Sequence, residues 1–364
     1  MVQLGVEPYL SSDIYRYVWD GRVQAAGVNP YRYIPAAQEL ARLRDVAIYP
    51  LINRADYAVT IYPPIAQMFF LLATRLGENI VVRKLALVAC EAFAIYATMV
   101  VLDRLALPPA RIAAFAWHPL AVWEIAGNGH VDALMIGLLM LALVVFASGR
   151  TLLAGALATA AALVKPTALL LPVLWRPWQW RLPAMVGLTA VLLYAPYLSV
   201  GWQVLGFLPG YVAEEGISQG YGFRFVMIAH ELFGPLRYSG AVYGTLAGLI
   251  MLTLAFAASL RVDRSLAASA GWLTVLLAAF LVLLTPHYPW YYLALMPFLA
   301  LYPRAWSLWV LTVASVLSYD AIPDDVLPIY IHRQIAFNAL VLIAVARDIA
   351  NRTTLALSTG ATQS

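Results

Sequence analysis

The sequence predicts an all-α fold: a polytopic transmembrane helical bundle of about eleven membrane-embedded segments, with an outer first loop carrying juxtamembrane helices. Two observations carry this. Of 364 residues, 63% are hydrophobic and only 12% are charged, half the ~25% of an ordinary soluble domain, and the mean hydropathy is +0.77. Apolar runs near the ~20 residues of a membrane span then recur from residue 84 onward. The formal charge of +4 comes from arginines in short loops. Membrane orientation accounts for these without nucleic acid as a partner. The single Cys90 lies inside an apolar run, which excludes disulfides and cysteine metal sites. Met1 to Pro8 has neither the basic start nor the apolar core of a signal peptide.

Residues 1–83 form the polar first piece. In "LSSDIYRYVWDGRVQAAGVNPYRYIP" (10–35), Ser12 before Asp13 is a helix-start signal, and Ile14, Tyr17 and Val18 then share a helical face. Asp13, Tyr17 and Asp20 follow at about one-turn intervals, so both carboxylates can point the same way. Beside Arg16, such a carboxylate suits a general base kept ionised by its neighbour. The structural alternative has Asp13 capping the helix and Asp20 pairing with Arg16 across i, i+4. "GVNPY" (27–31) reads as a turn. "TIYPPIAQMFFLLATRLG" (60–77) is apolar for only about a dozen residues, too few to span. It is expected as an interfacial helix begun by Pro63 and Pro64.

Helical segments are expected at 84–102, 112–126, 130–148, 152–164, 166–175, 182–198, 240–260, 267–284, 288–302, 305–318 and 331–346. A polar tail, 351–364, follows the 84–350 helical domain. The pair 152–164 and 166–175 could be one span, but charge argues for two short helices meeting at "VKP" and broken by Pro166. With that choice Arg104, Arg111, Arg150, Arg176, Arg181, Arg261, Arg264, Arg304, Arg347 and Arg352 share one side, against Asp103, Asp263 and Asp348. After Lys84, the other side carries Glu124, Asp132, Glu214, Glu215, Glu231, Asp320, Asp324 and Asp325 against Lys165, Arg224, Arg237 and Arg333. This bias predicts a cytoplasmic C-terminus and residues 1–80 on the far side.

The polar residues at the outer helix ends are the chemical candidates. "GNGHVD" (127–132) carries Asn128, His130 and Asp132, either as helix-end capping or as substrate contacts; His-x-Asp without a third ligand does not argue a metal site. Lys165 at the helix break would cost about 2.5–3.5 kcal/mol in hydrocarbon, so it should face the bundle or a wet cavity, where a lipid phosphate would suit it. Snorkelling or pairing with Glu91 is the alternative. His287 in "TPHYPWYY" sits at a similar junction. The loop 210–225 could form a lid.

In order along the chain, these features are an acidic residue outside the membrane, an aromatic helix, "GVNPY", "YPP" opening a juxtamembrane helix, the "GNGHVD" turn, the "KP" break and "HYPWY". Together they resemble the GT-C superfamily of polytopic glycosyltransferases, and within it the bacterial polyprenyl-phosphate-mannose-dependent mannosyltransferases. The resemblance implies an inverting membrane glycosyltransferase of the cell inner (plasma) membrane, acting on the periplasmic or outer face. It would move a sugar, mannose by family likeness, from a polyprenyl-phosphate donor to a lipid or glycan acceptor, with no metal and no other cofactor. It implies Asp13 as catalytic base, with Asp20 the second candidate. Lys165, Arg224, His287 and Arg22 are the cations available to the leaving phosphate, and Tyr17, Tyr62, Asn128, His130 and Asp132 the substrate contacts. The family places a transmembrane helix before the first outer loop; this sequence starts inside that loop, so a preceding helix is expected to be missing from it. A lipid-linked glycan flippase or transporter is the rival class, but only one helix break is visible and no matching second half. A ligase or polymerase would be expected to keep its polar chemistry in a late outer loop rather than the first.

Overall fold

The computed structural model describes residues 2–174, 180–217, 220–319 and 327–351. Arg176, Asp320, Asp324, Asp325, Arg352 and the tail from 352 lie outside the described residues. Those described are helical or irregular, with no strand among them. The principal helices are α1 (Asp13–Ala25), α2 (Pro64–Thr74), α3 (Ile80–Arg104), α4 (Asp132–Ala147), α5 (Thr151–Ala162), α6 (Arg181–Tyr194), α7 (Arg224–Phe233), α8 (Ser239–Leu260), α9 (Leu266–Leu284), α10 (Trp306–Val313) and α11 (Leu327–Ala350).

Four of the described helices are long and apolar enough to cross a membrane: α3, the run Arg181–Glu214 that begins with α6, α8 and α9. A bent pair, Pro119–Gly127 with α4, would make a fifth. The other expected segments are short or broken. Residues 112–126 are not one helix: Pro119 interrupts them, and they continue as a π turn over Val122–Gly127. Residues 288–302 combine a 3-10 stretch, Pro289–Leu295, with the short helix Met296–Leu301.

Helix α3 holds a cation near each of its ends. At one end of α3, buried Lys84 donates to the carbonyls of Gln3 (3.0 Å) and Val6 (2.6 Å). At its other end, Arg104 donates to Val144 O and Ser148 Oγ, both at 2.8 Å. Twenty residues separate Lys84 from Arg104, about 30 Å of helix, which matches the ~30 Å of a bilayer's hydrocarbon core. Arg104, Thr151 and Arg264 line one cavity at that second end. Arg261 and Arg264 there both hold Leu174 O at 2.7 Å.

That arrangement explains the "VKP" break. Helix α5 leaves the Arg104–Arg264 end, runs for 12 residues or about 18 Å, and stops. Lys165 is extended (φ −144°, ψ 134°), and the 3-10 turns Pro166–Leu170 and Pro172–Leu174 bring the chain back to Arg261 and Arg264. Residues 151–174 therefore fold back as a hairpin with Lys165 at its tip.

Helix α1 is buried on all sides, with Ile14, Tyr17 and Val18 wholly inaccessible and Arg16 and Asp20 enclosed as well. It lies against α2 at Gly21, where any Cβ would collide with Thr74 Oγ1 and the Phe70 carbonyl. Helix α2 begins after Pro63 and is too short to span at 11 residues. Leu72 on it and Leu76 just past its end are exposed.

Candidate active site

Asp13 stands at the start of α1. Its Oδ1 accepts a 2.7 Å hydrogen bond from Asn53 Nδ2, and its Oδ2 faces His130 Nδ1 at 3.9 Å. The side chain keeps 21% of its surface open, so one oxygen is fixed and the other approachable. Asp20, seven residues on, differs completely. It is 2% exposed. Its Oδ1 binds Arg16 Nε at 2.9 Å, and its Oδ2 accepts from Thr60 Oγ1 and from Gln67 Nε2 at 2.9 Å. Arg16 uses its remaining donors on Ala58 O. No oxygen of Asp20 is left for a substrate hydroxyl, and the i, i+4 pairing is the geometry found. Asp20→Ala would strand a buried guanidinium, a loss of about 3–5 kcal/mol. The expected result is a large drop in thermal stability in detergent; an unchanged melting temperature would contradict this account of the network.

The "GNGHVD" turn sits directly over Asp13. The bend of 120° between Pro119–Gly127 and α4 is made at Asn128–Val131, where Gly129 takes φ +79° and lies against the Ile14 side chain. A Cβ there would meet the Ile14 methyl in a backbone conformation that side chains rarely adopt. Gly129→Ala should therefore push the turn off α1, lowering both stability and the integrity of the His130–Asp13 approach. Limited proteolysis, compared with a Gly248→Ala control in open space, measures this.

His130 is inaccessible, stacked on Trp290 (4.1 Å between ring centres), with Nε2 3.3 Å from Glu124 Oε2. Glu124 also accepts from Asn128 Nδ2 at 3.0 Å, while Asn128 Oδ1 receives the Tyr9 and Leu10 amides. Asn128 thus ties the N-terminal segment to the turn. Asp132 is 1% exposed and forms an ion pair with Lys165, Oδ2 to Nζ at 2.7 Å. Lys165 pairs here rather than with Glu91; its side chain is 14% exposed and its Nζ lies 4.8 Å from the centre of the Tyr291 ring.

The short helix Leu208–Glu214 lies against this cluster. Tyr211 hydroxyl and Tyr291 hydroxyl are 2.8 Å apart, and Arg54 Nε pairs with Glu214 Oε2 at 2.6 Å. The Arg54 guanidinium packs 5.7 Å from the Tyr211 ring centre. Burial alone would lower the Arg54 pKa, but Glu214, with Asp13 adding to it, raises it. Tyr17 and Tyr62 pack edge to face with centroids 4.9 Å apart. Burial lifts both phenols well above the ordinary tyrosine range, and the Asp13 carboxylate lifts them further. They stay neutral beside the site.

The structure therefore gathers Asp13, Tyr17, Tyr62, Asn128, His130, Asp132 and Lys165. Arg22 stands apart from them. Arg22 is nine residues beyond Asp13, about 13 Å along α1, with its donors on Glu78 (2.8 Å), Asp45 (2.7 Å) and Leu43 O (3.0 Å). Arg224 and His287 belong to the junction after α9, beside Tyr292. Arg224 is wholly buried, donates to Pro286 O at 2.8 Å and lies 5.0 Å from the Phe337 ring centre. Its Nε and Nη1 have no hydrogen-bond partner, and no acid pairs with it among the described residues. Sequence reasoning missed Asn53 and Arg54, which lie in unremarkable loop sequence, and marked Tyr211 only as part of the 210–225 segment; the fold brings all three to this site. Among the described residues no group of three His, Cys, Asp or Glu side chains could hold a metal ion.

The described residues thus form an apolar helical bundle that encloses one partly open carboxylate and a paired lysine, and the comparisons point the same way as the resemblance read from the motifs. Residues 3–180 match the family model described as alpha-(1->6)-mannopyranosyltransferase, N-terminal domain. A segment of 179 residues is 28% identical to alpha-(1->6)-mannopyranosyltransferase A of Mycobacterium tuberculosis (strain ATCC 25618 / H37Rv). It covers 48% of this chain and 34% of that relative, so the matched region spans about a third of the relative's length. No solved structure matches. The chain is thus similar, through its N-terminal half, to GT-C-like mannosyltransferases. Asp13, Asp132 and Lys165 fall inside the matched residues; Arg224 and Tyr291 fall beyond them.

Proposed function

We propose that this protein is a membrane mannosyltransferase that takes mannose from a polyprenyl-phosphate donor and transfers it, with inversion, to a lipid or glycan acceptor at the extracytoplasmic face of the inner (plasma) membrane. One observation carries the reading: a carboxylate with one approachable oxygen, Asp13, shares a half-enclosed cluster with the tip lysine of a hairpin. The free oxygen of Asp13 takes the proton of the acceptor hydroxyl as that oxygen attacks the anomeric carbon. The bond from that carbon to the phosphate oxygen breaks, and polyprenyl phosphate leaves with the electron pair. Lys165 supplies positive charge to the departing phosphate, held at its station by Asp132 and Tyr291. His130 and Asn53 orient the base. Tyr17 and Tyr62 form the wall beside the sugar, and the helix Leu208–Glu214, latched by Tyr211 and Glu214, keeps water out.

The depth of the site suits a lipid substrate. Asp132 and Lys165 lie 15 and 14 residues of chain from the Arg104–Arg264 end, about 21–23 Å of helix, several ångströms inside the far surface of a ~30 Å core. The Arg181–Glu214 run and α8 have only 6% of their apolar windows buried, which leaves lipid-facing walls for a polyprenyl chain. Arg224, with two uncommitted donors beside His287, is a second cationic station for a phosphate or a charged acceptor. Arg22 and Asp20 are structural in this reading. Residues 1–83 form the outer segment, and the charge bias supports that orientation.

The donor is tested with membranes containing the protein, supplied with radiolabelled polyprenyl-phosphate mannose or with labelled nucleotide mannose while synthesis of the lipid donor is blocked. Label should reach the acceptor from the lipid donor alone. Transfer from the nucleotide sugar under blockade would overturn the donor assignment, and movement of the intact lipid across vesicles without sugar transfer would favour a flippase.

A further inference from the structure

The face opposite the candidate active site carries a cavity of about 540 Å³ lined by Arg104, Phe146, Ala147, Thr151, Arg264 and Leu266, among others. Its volume lies within the roughly 300–1,000 Å³ of small-molecule sites. It is about 21 Å of hairpin from Lys165, too far to hold the phosphate of a donor whose sugar reaches Asp13.

Its chemistry is that of an anion site set in an apolar wall. Arg104 commits Nη1 to Val144 O and Ser148 Oγ; its Nε and Nη2 make no protein hydrogen bond among the described residues. Arg264 is fixed by its bonds to Leu174 O and Ser259 O. Nearby, Arg150 and Arg261 outnumber the acids, and Asp263 is committed to the Ser265 amide at 2.8 Å. Helix α5 opens on the same cavity without a side-chain cap at its first residues, so its unpaired amides add positive potential. On the apolar side, Phe146 and Leu266 form the wall, and exposed Leu152 and Leu153 continue from Thr151 along α5.

We propose that this cavity binds the headgroup of an acidic glycerophospholipid, its phosphate between Arg104 and Arg264 and an acyl chain along Leu152 and Leu153. A free phosphate shares the anion chemistry, but the apolar track and the placement at the end of α3, one bilayer thickness from Lys84, select a lipid. The ligand would brace the base of the hairpin, because Thr151 begins it and Arg264 holds Leu174 at its return. The assignment stands apart from the transferase reading and does not use Asp13 or Lys165.

The test is native mass spectrometry of the full chain after equilibration with equal amounts of phosphatidylglycerol and phosphatidylcholine, with and without inorganic phosphate. Wild type should retain phosphatidylglycerol selectively, and inorganic phosphate should leave that adduct in place. Arg104→Gln should reduce retention about fivefold, the effect of one cation near a membrane surface. Ala147→Trp, which fills the cavity and keeps both arginines, should abolish it. Retention in Ala147→Trp equal to wild type, with Arg104→Gln also unchanged, would overturn the proposal. Equal retention of phosphatidylcholine would do the same, as would displacement of the lipid by inorganic phosphate, which would assign the site to a soluble anion.

Discussion

Asp13→Asn should lower the rate of mannose transfer by about 10²–10⁴-fold, the range for loss of a positioned general base. The substitution keeps the size of the side chain and the oxygen that Asn53 binds at 2.7 Å, so α1, its packing and thermal stability should be unaffected. What is lost is the basic oxygen that faces His130 at 3.9 Å. Affinity for the lipid donor should barely change, because nothing in the proposed phosphate contact involves Asp13; the effect belongs in kcat. The measurement is the initial rate of transfer in detergent-solubilised membranes at saturating donor, with melting curves of both proteins as the control. A wild-type rate removes Asp13 from the chemistry.

Lys165→Met should cost about 10²–10³-fold in kcat/KM, comparable with loss of one electrostatic donor at a developing oxyanion. A complication can be separated out. Asp132 is 1% exposed and its ion pair with Lys165 is 2.7 Å long, so removing the lysine alone strands a buried carboxylate and destabilises the fold by about 3–5 kcal/mol. The double variant Lys165→Met with Asp132→Asn removes both charges and should recover most of that stability. It should not recover transfer, because the cation opposite the leaving phosphate is still absent. If the double variant is as active as wild type, the lysine serves only to neutralise Asp132, and the phosphate must be held elsewhere, with Arg224 the next candidate.

Much of this arrangement could be read from the chain. Composition and run lengths gave an all-helical, membrane-embedded class. Pro166 beside a lysine in an apolar stretch, weighed against the arginines on either flank, led to two short helices broken at "VKP"; the break is there, but 3-10 turns stand in place of the second helix. The motif order gave the resemblance that the comparisons support. Other features were not legible because they depend on contacts distant in sequence. Asp13 and Asp20 have the same helical spacing and similar neighbours, yet one is open and one is sealed. The difference comes from Thr60, Gln67 and Asn53, 40 or more residues away. The partner of Lys165 turned out to be Asp132, because the 120° bend at Gly129 carries the start of α4 to the hairpin tip. The segment 112–126 counted as one apolar run on hydropathy, but Pro119 and the π turn at Glu124 break it. That break is what lowers Glu124, Asn128 and His130 into the cluster. Arg22 looked like a spare cation in sequence and is consumed by Asp45 and Glu78.

The account stands on Asp13 and Lys165 serving a single bound molecule, and a cryo-electron-microscopy structure with polyprenyl phosphate bound tests this most directly. The phosphate should lie against Lys165 Nζ at the hairpin tip, with the Asp13 carboxylate facing the same cavity about one sugar's width away. A phosphate seated instead among Arg104 and Arg264, or walled off from Asp13, would contradict it.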